Sequence, residues 1–179
     1  FSPVFIIIGL LIKTESKGCV FFKQERIGKD LVPFNILKFR TMYINAESKG
    51  KLTVGAKDNR ITKIGYWIRK YKIDELPQFI NVAKGEMSIV GPRPEVSKYV
   101  KFYSNTQKKV LSIKPGITDY ASLEYFEENK LLGESINPEE TYVKEIMPEK
   151  LKINLEYVGK NSFKNDLIII WKTFLRILS

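Results

Sequence analysis

The run SPVFIIIGLLIK at residues 2–13 sets the first limit on what this chain can fold into. Residues 4–12 carry no polar side chain, so a helix built from them has no face to turn toward water. Nine residues at about 1.5 Å each reach roughly 14 Å, against a hydrocarbon core of about 30 Å. Such a helix is either buried in protein or dips into one leaflet; it is too short to span. Ser2-Pro3 at its start is a break or kink signal. The last stretch, DLIIIWKTFLRILS, is similarly apolar, with only Lys172 and Arg176 forming a thin polar stripe, and belongs to a core or an interface.

Composition narrows the chemistry. The formal charge of +10 implies an anionic partner: nucleic acid, an acidic membrane surface or a phosphorylated substrate. The chain has no histidine, which removes serine–histidine and cysteine–histidine catalysis, histidine metal ligands and the usual base near pH 7. Acid–base or nucleophilic work then falls on carboxylates, lysines, tyrosines or hydroxyls, and a carboxylate attacking an activated phosphate is among the few routes left. A single cysteine, Cys19, rules out an internal disulfide and fits a reducing compartment.

Between the apolar ends the pattern is mixed α/β and helix-rich. CVFFKQERIG and PFNILKFRTM read as two strands of a small hairpin joined through KDLV, with Gly28 as a turn residue. Period two places Phe34, Ile36, Lys38 and Arg40 on one face of the second strand, turning from apolar to basic. ESKGKLTVGAKDNR reads as a loop, and ITKIGYWIRKYK as a basic amphipathic helix. A helix over residues 74–84 follows, stopped by Gly85, then a short strand MSIVG. PRPEVSKYVKFYSNTQKKVLSI reads as a rigid start running into a helix, KPGITDYASLEYF as extended after a Pro-Gly turn, and PEETYVKEIMPEKLKINLEYVGK as helices broken at Pro148.

Chemistry concentrates in KYKIDELPQFINVAKGEMSIVGPRPE. Asp74 suits a helix N-cap, Glu75 complements the helix dipole, and Pro77 sits in the first turn, where its missing N–H costs nothing. The same helix end would keep a carboxylate ionised and accept a phosphate. Pro92 and Pro94 stiffen Arg93, which suits two-pronged phosphate binding. Each motif alone is explained equally well by local structure. Together with Lys38 and Arg40 they describe an anion site with an acidic nucleophile inside it.

In order along the chain, SPVFIIIGLLIK, GCVFFKQERIGKD, PFNILKFRTM, DNRITKIGYWIRK, IDELPQFINVAKGEMSIVGPRPE and KPGIT resemble the bacterial sugar transferases, the monotopic phosphoglycosyl transferases of glycan assembly. The resemblance implies transfer of a phospho-sugar from a UDP-sugar to undecaprenyl phosphate with release of UMP. It implies a Mg²⁺ requirement and work at the cytoplasmic face of the bacterial inner membrane, among membrane lipids. Asp74 would be the nucleophile and a metal contact, with Glu75 its partner, supporting it or handling a proton. Arg93 would bind phosphate, with Lys38, Arg40 and Arg69 as further candidates. Residues 1–12 would be the returning arm of a re-entrant helix bent at Ser2 and Pro3, its first arm missing from this chain. Residues 13–179 would be one catalytic domain carrying interfacial helices. Two rivals stand beside this reading: a basic nucleic-acid-binding module, and a non-catalytic membrane-surface protein. The first lacks a helix-turn-helix, zinc spacing or an RNA-binding motif, and nucleic acid is not expected as a partner.

Overall fold

The computed structural model describes residues 2–44, 46 and 58–178. The loop expected from ESKGKLTVGAKDNR lies mostly outside them. The chain forms a mixed, helix-rich α/β structure with two small sheets. Strands β1 (Phe21–Ile27) and β2 (Pro33–Phe39) make an antiparallel hairpin in which Phe21 faces Phe39 and Ile27 faces Pro33. The left-handed residues of its connection are Asp30 and Leu31, not Gly28. Gly28 sits in a tight space, where a Cβ would lie 3.1 Å from Phe34 Cδ1 and 3.2 Å from the Val32 carbonyl oxygen. Strands β3 (Ser88–Val90) and β4 (Gly116–Thr118) pair in parallel. Gly91 and Gly116 let them meet, because a Cβ on Gly116 would fall 2.1 Å from the Gly91 nitrogen.

Helix α1 runs Ser2–Glu15, so Ser2 and Pro3 form its first turn and it continues three residues beyond the apolar run. Ile8 and Ile12 are buried with Phe39 and Ile68, while Val4, Ile6, Ile7, Leu10 and Leu11 stay exposed. The apolar surplus read in the sequence therefore faces outward. No helix of the described residues is long and apolar enough to cross a membrane.

The polar end of α1 builds the next helix. The Glu15 carboxylate accepts from the N–H groups of Lys63 and Ile64 at 2.6 and 2.8 Å, at the start of α2 (Lys63–Lys70). Thr62 Oγ1 accepts from the Gly65 N–H, and the Thr62 N–H donates to the Thr41 carbonyl. All four otherwise orphaned donors of α2 are thus satisfied. Gly65 lets the helix lie against the chain leaving β2, where a Cβ would stand 2.1 Å from the Thr41 carbonyl oxygen.

Several expected elements differ. A 3₁₀ turn, Ile73–Glu75, precedes α3 (Gln78–Ala83), so Asp74 sits inside that turn and does not cap the helix. Gly85 ends α3 in a left-handed conformation, as expected. The helix expected after PRPE is only α4 (Ser97–Val100), followed by the 3₁₀ segment Gln107–Ser112. Ser104 and Gln107 exchange side-chain and backbone hydrogen bonds, a capping box that starts a new segment. The run expected to be extended is a strand only over β4; Asp119 then caps α5 (Tyr120–Glu124) by accepting from the Ser122 N–H. Helix α6 (Glu128–Glu134) follows. Pro148 does not break its helix: α7 (Pro138–Thr141) passes through a π-helical stretch, Tyr142–Ile146, into α8 (Met147–Lys160). The wider turn takes up the hydrogen bond that proline cannot donate. Helix α9 (Phe163–Leu178) buries Ile169 and exposes Leu167, Trp171, Phe174, Leu175 and Leu178.

The tight α2 crossing yields a paired expectation. Gly65→Ala overpacks a backbone contact and should cost about 2 kcal/mol, lowering Tm by roughly 4–8 °C. Gly159→Ala, on an open face of α8 with nothing within 4 Å, should leave Tm unchanged or raise it slightly. Thermal melts of both variants check this.

Candidate active site

Three apolar clusters converge on the acidic pair. Ile73 and Leu76 pack on the cluster of Ile8, Ile12, Phe39 and Ile68, fixing the 3₁₀ turn that carries Asp74 and Glu75 between them. Val90 belongs to a second cluster with Tyr157 and Ile169. Val96 belongs to a third, with Ile27, Tyr99 and Tyr142 among others. The Gly91–Glu95 segment bridges the second and third, which places Arg93 opposite the turn.

Glu75 is the electrostatic centre. Lys38 Nζ donates to its Oε1 at 3.0 Å, and the Arg93 guanidinium donates to both oxygens, NH1 to Oε2 at 3.2 Å and NH2 to Oε1. Burial alone would raise the Glu75 carboxyl, but Arg93 and Lys38 together hold it well below the carboxylate range. Glu75 in turn pushes the Arg93 guanidinium above its ordinary value, against burial. Burial lowers the Lys38 ammonium, with Glu75 opposing.

Asp74 is the contrast. Its side chain is buried, and no hydrogen bond or ion pair engages its carboxylate among the described residues. Burial raises its carboxyl, Lys38 opposes, and neighbouring Glu75 raises it further. The helix end expected at Asp74 is not there: the residue sits inside the 3₁₀ turn, and Lys38 and Arg93 bond to Glu75 instead. Both carboxylates open onto a cleft of about 1060 Å³ that also holds Lys38, Arg69, Lys72 and Arg93. Arg69 thus shares the cleft, and its charge acts to lower the Asp74 carboxyl.

Arg40 also lines the cleft, with its guanidinium bound to backbone rather than to either carboxylate. Its guanidinium donates to the Lys17 and Ser16 carbonyls at 2.5 and 2.8 Å, tying the end of β2 to the end of α1. The strand ends at Phe39, so the period-two face stops at Lys38. Ser2 and Pro3 lie in α1, outside this cleft.

Sequence reasoning missed the residues that aim Arg93. Asp119, fully buried, accepts from the Arg93 N–H at 2.9 Å through Oδ2 while capping α5 through Oδ1. Glu95 accepts from Arg26 NH1 at 3.3 Å and from the Tyr142 hydroxyl, and its carbonyl accepts from the Ile27 N–H. Arg26 NH1 also donates to the Pro94 carbonyl. The sequence signal was an Asp three residues before Ser122 and a Glu directly after the Pro-Arg-Pro cage.

A metal contact is limited by the donor set. No group of three or more acidic, cysteine or histidine side chains gathers among the described residues. Asp74 offers one uncommitted carboxylate, which suits Mg²⁺, an ion that takes one or two carboxylates and completes its shell with phosphates and water.

The two carboxylates should respond oppositely to neutralisation. Glu75, with a depressed folded value, adds stability above its ordinary 4.5 that is lost as pH falls through that depressed value. Asp74, raised, costs stability once pH exceeds its ordinary 3.8. At pH 7, Glu75→Gln should lower stability by about 2 kcal/mol, leaving two half-buried cations without their carboxylate partner. Asp74→Asn should raise Tm. Thermal melts at pH 7 check both signs.

Comparison with known proteins shows similarity over the whole chain. The family described as bacterial sugar transferase matches residues 1–179. The chain is 36% identical over 182 residues to the UDP-N-acetylgalactosamine-undecaprenyl-phosphate N-acetylgalactosaminephosphotransferase of Aeromonas hydrophila, covering 100% of the chain and 40% of that protein. It is 36% identical over 178 residues to the UDP-glucose:undecaprenyl-phosphate glucose-1-phosphate transferase of Escherichia coli, covering 98% and 36%. It is 39% identical over 177 residues to an uncharacterized sugar transferase of Bacillus subtilis, covering 99% and 79%. The chain therefore spans less than half the length of the first two relatives.

Proposed function

The chain belongs to the bacterial sugar transferase family, and on that premise we propose that it transfers a phospho-sugar from a UDP-sugar to undecaprenyl phosphate, releasing UMP. The observation that carries this reading is the division of labour in the acidic pair: Glu75 is held by Lys38 and Arg93, while Asp74 is buried in the same cleft with its carboxylate unengaged.

In the first step an Asp74 carboxylate oxygen attacks the β-phosphorus of the donor. The bond from that phosphorus to the bridging oxygen breaks, and its electron pair leaves with UMP. The product is an acyl phosphate carrying the sugar on Asp74. In the second step a phosphate oxygen of undecaprenyl phosphate attacks the same phosphorus, and the Asp74 carboxylate leaves restored. Burial would raise the Glu75 carboxyl, but Arg93 and Lys38 hold it well below its ordinary value, which favours support of the nucleophile over proton handling. Glu75 holds Arg93 and Lys38 in the cleft, where both can turn toward transferring phosphate oxygens. Asp74 reacts as its anion, and the charge of an incoming diphosphate must be offset for that anion to approach. Mg²⁺, held by Asp74 and the substrate phosphates, would supply that offset.

The exposed apolar faces of α1 and α9, and the Tyr66, Trp67 and Tyr71 side chains of and beside α2, support a membrane-surface position. We place α1 in one leaflet as a re-entrant arm on the cytoplasmic side of the bacterial inner membrane. Basic residues at an anionic surface add about 1 kcal/mol each.

The test is UMP release by the full-length protein from a panel of UDP-sugars with undecaprenyl phosphate and Mg²⁺. One or more donors should support release that depends on the lipid. Release from none, with salt-dependent DNA binding, would favour the nucleic-acid reading. Arg93→Lys keeps the charge but loses the planar fork, and should lower turnover at least about tenfold. Unchanged turnover would make Arg93 a loop residue only.

A further inference from the structure

The cations of the cleft differ in what they are already bound to. Lys38 and Arg93 are committed to Glu75. Arg26 is committed to Gln24, Glu95 and the Pro94 carbonyl. Lys150 pairs with Glu128. Lys72 lines the same cleft as Asp74 and Glu75, yet no hydrogen bond or ion pair engages its ammonium among the described residues. Its side chain instead lies against an aromatic wall, with Nζ 5.0 Å from the ring centre of Phe126. The other cation on that ring is Arg176 of α9, also at 5.0 Å.

The backbone at Lys72 is unusual as well. It is left-handed, with φ 54° and ψ 18°, at the residue that opens the 3₁₀ turn carrying Asp74. A long side chain rarely adopts that conformation, which costs of order 1 kcal/mol or more and persists only where the surroundings impose it. Here it is imposed from both sides. The Lys72 N–H donates to the Arg69 carbonyl at the end of α2, and the Lys72 carbonyl accepts from the Glu75 N–H. The strained residue thus joins α2 directly to the turn, two positions before the carboxylate that opens onto the cleft.

A partly buried ammonium beside two carboxylates, paired with neither, is placed to meet an anion from outside. We propose that Lys72 is a substrate-phosphate-binding residue of this cleft, directed by its left-handed backbone and backed by Phe126. The ligand chemistry is a phosphate, which the diphosphate of the donor or the phosphate of the lipid acceptor would each supply. A phosphate arriving at Asp74 brings Lys72 the anion that Glu75, already shared by two cations, does not provide. This inference rests on the transferase reading of the site for the identity of the phosphates. The juxtaposition of Lys72, Phe126 and the acidic turn stands apart from it.

The experiment compares wild type with Lys72→Asn and Lys72→Arg, in detergent, by calorimetric titration with UDP and separately with a short-chain polyprenyl phosphate. Asparagine tolerates the left-handed backbone and removes the charge; arginine keeps the charge. Lys72→Asn should bind one of the two ligands at least about tenfold more weakly, the scale of one charge-assisted contact. Lys72→Arg should recover most of that loss. A loss for UDP assigns the residue to the donor, and a loss for the polyprenyl phosphate assigns it to the acceptor. Unchanged affinity for both ligands in Lys72→Asn overturns the proposal. Equal losses in the Asn and Arg variants, tracking a fall in Tm, also overturn it by showing a backbone role alone. If wild type binds the ligands through Lys72 yet releases no UMP, the transferase reading fails while the phosphate site stands.

Discussion

The half-buried Glu75 carboxylate, shared between Lys38 and Arg93, is the interaction on which the rest of the site depends. It joins a strand, a 3₁₀ turn and a proline-caged loop, each anchored in a different part of the core. Removing three charges from water costs several kcal/mol per ion, and their mutual attraction does little more than offset that cost. The cluster is therefore better understood as setting position than as adding stability. None of the three elements can shift without leaving a half-buried charge unpaired. With Lys38 and Arg93 bonded to Glu75, the adjacent Asp74 is buried with no hydrogen-bond partner among the described residues, and burial raises its carboxyl. Two neighbouring carboxylates thereby sit in different environments.

The supporting structure extends this constraint outward. Asp119 joins the Arg93 backbone to the start of α5, and the Arg26–Glu95–Tyr142 group joins the same loop to β1 and to the π-helical stretch before α8. On the other side, Glu15 caps α2 and Arg40 holds the end of α1, so the apolar N-terminal helix is fixed to the elements that carry Lys38 and Asp74. The outer apolar face of α1 and the geometry of the cleft thus belong to one connected framework. The chain places its greasiest segment where it is mechanically tied to its most polar one.

Much of this was legible in the sequence. The hairpin followed from period-two alternation and the α3 stop from Gly85. The convergence of Lys38, Glu75 and Arg93 was suggested by a basic strand end and a caged arginine. What failed had physical causes. Arg40 lies one residue past the strand, where the pleat no longer sets its direction and two carbonyls at the end of α1 claim it. Asp74 resembled an N-cap because the residues that follow it suit a helix, but the chain first makes a tighter turn from a left-handed Lys72. Pro148 signalled a break that a π-helical stretch absorbs. Asp119 and Glu95 carried only a local signal, and their bonds to Arg93 and Tyr142 depend on contacts far away in the sequence that local patterning does not encode.

The claim that Asp74 reacts while Glu75 only holds the cations is tested most directly by mass spectrometry of the intact protein. It would be incubated briefly with a UDP-sugar and Mg²⁺ in the absence of the lipid acceptor. The account predicts added mass equal to one phospho-sugar, mapping to the peptide that contains Asp74, absent from Asp74→Asn, and discharged by undecaprenyl phosphate. An adduct on any other residue, or normal turnover by Asp74→Asn, would contradict it.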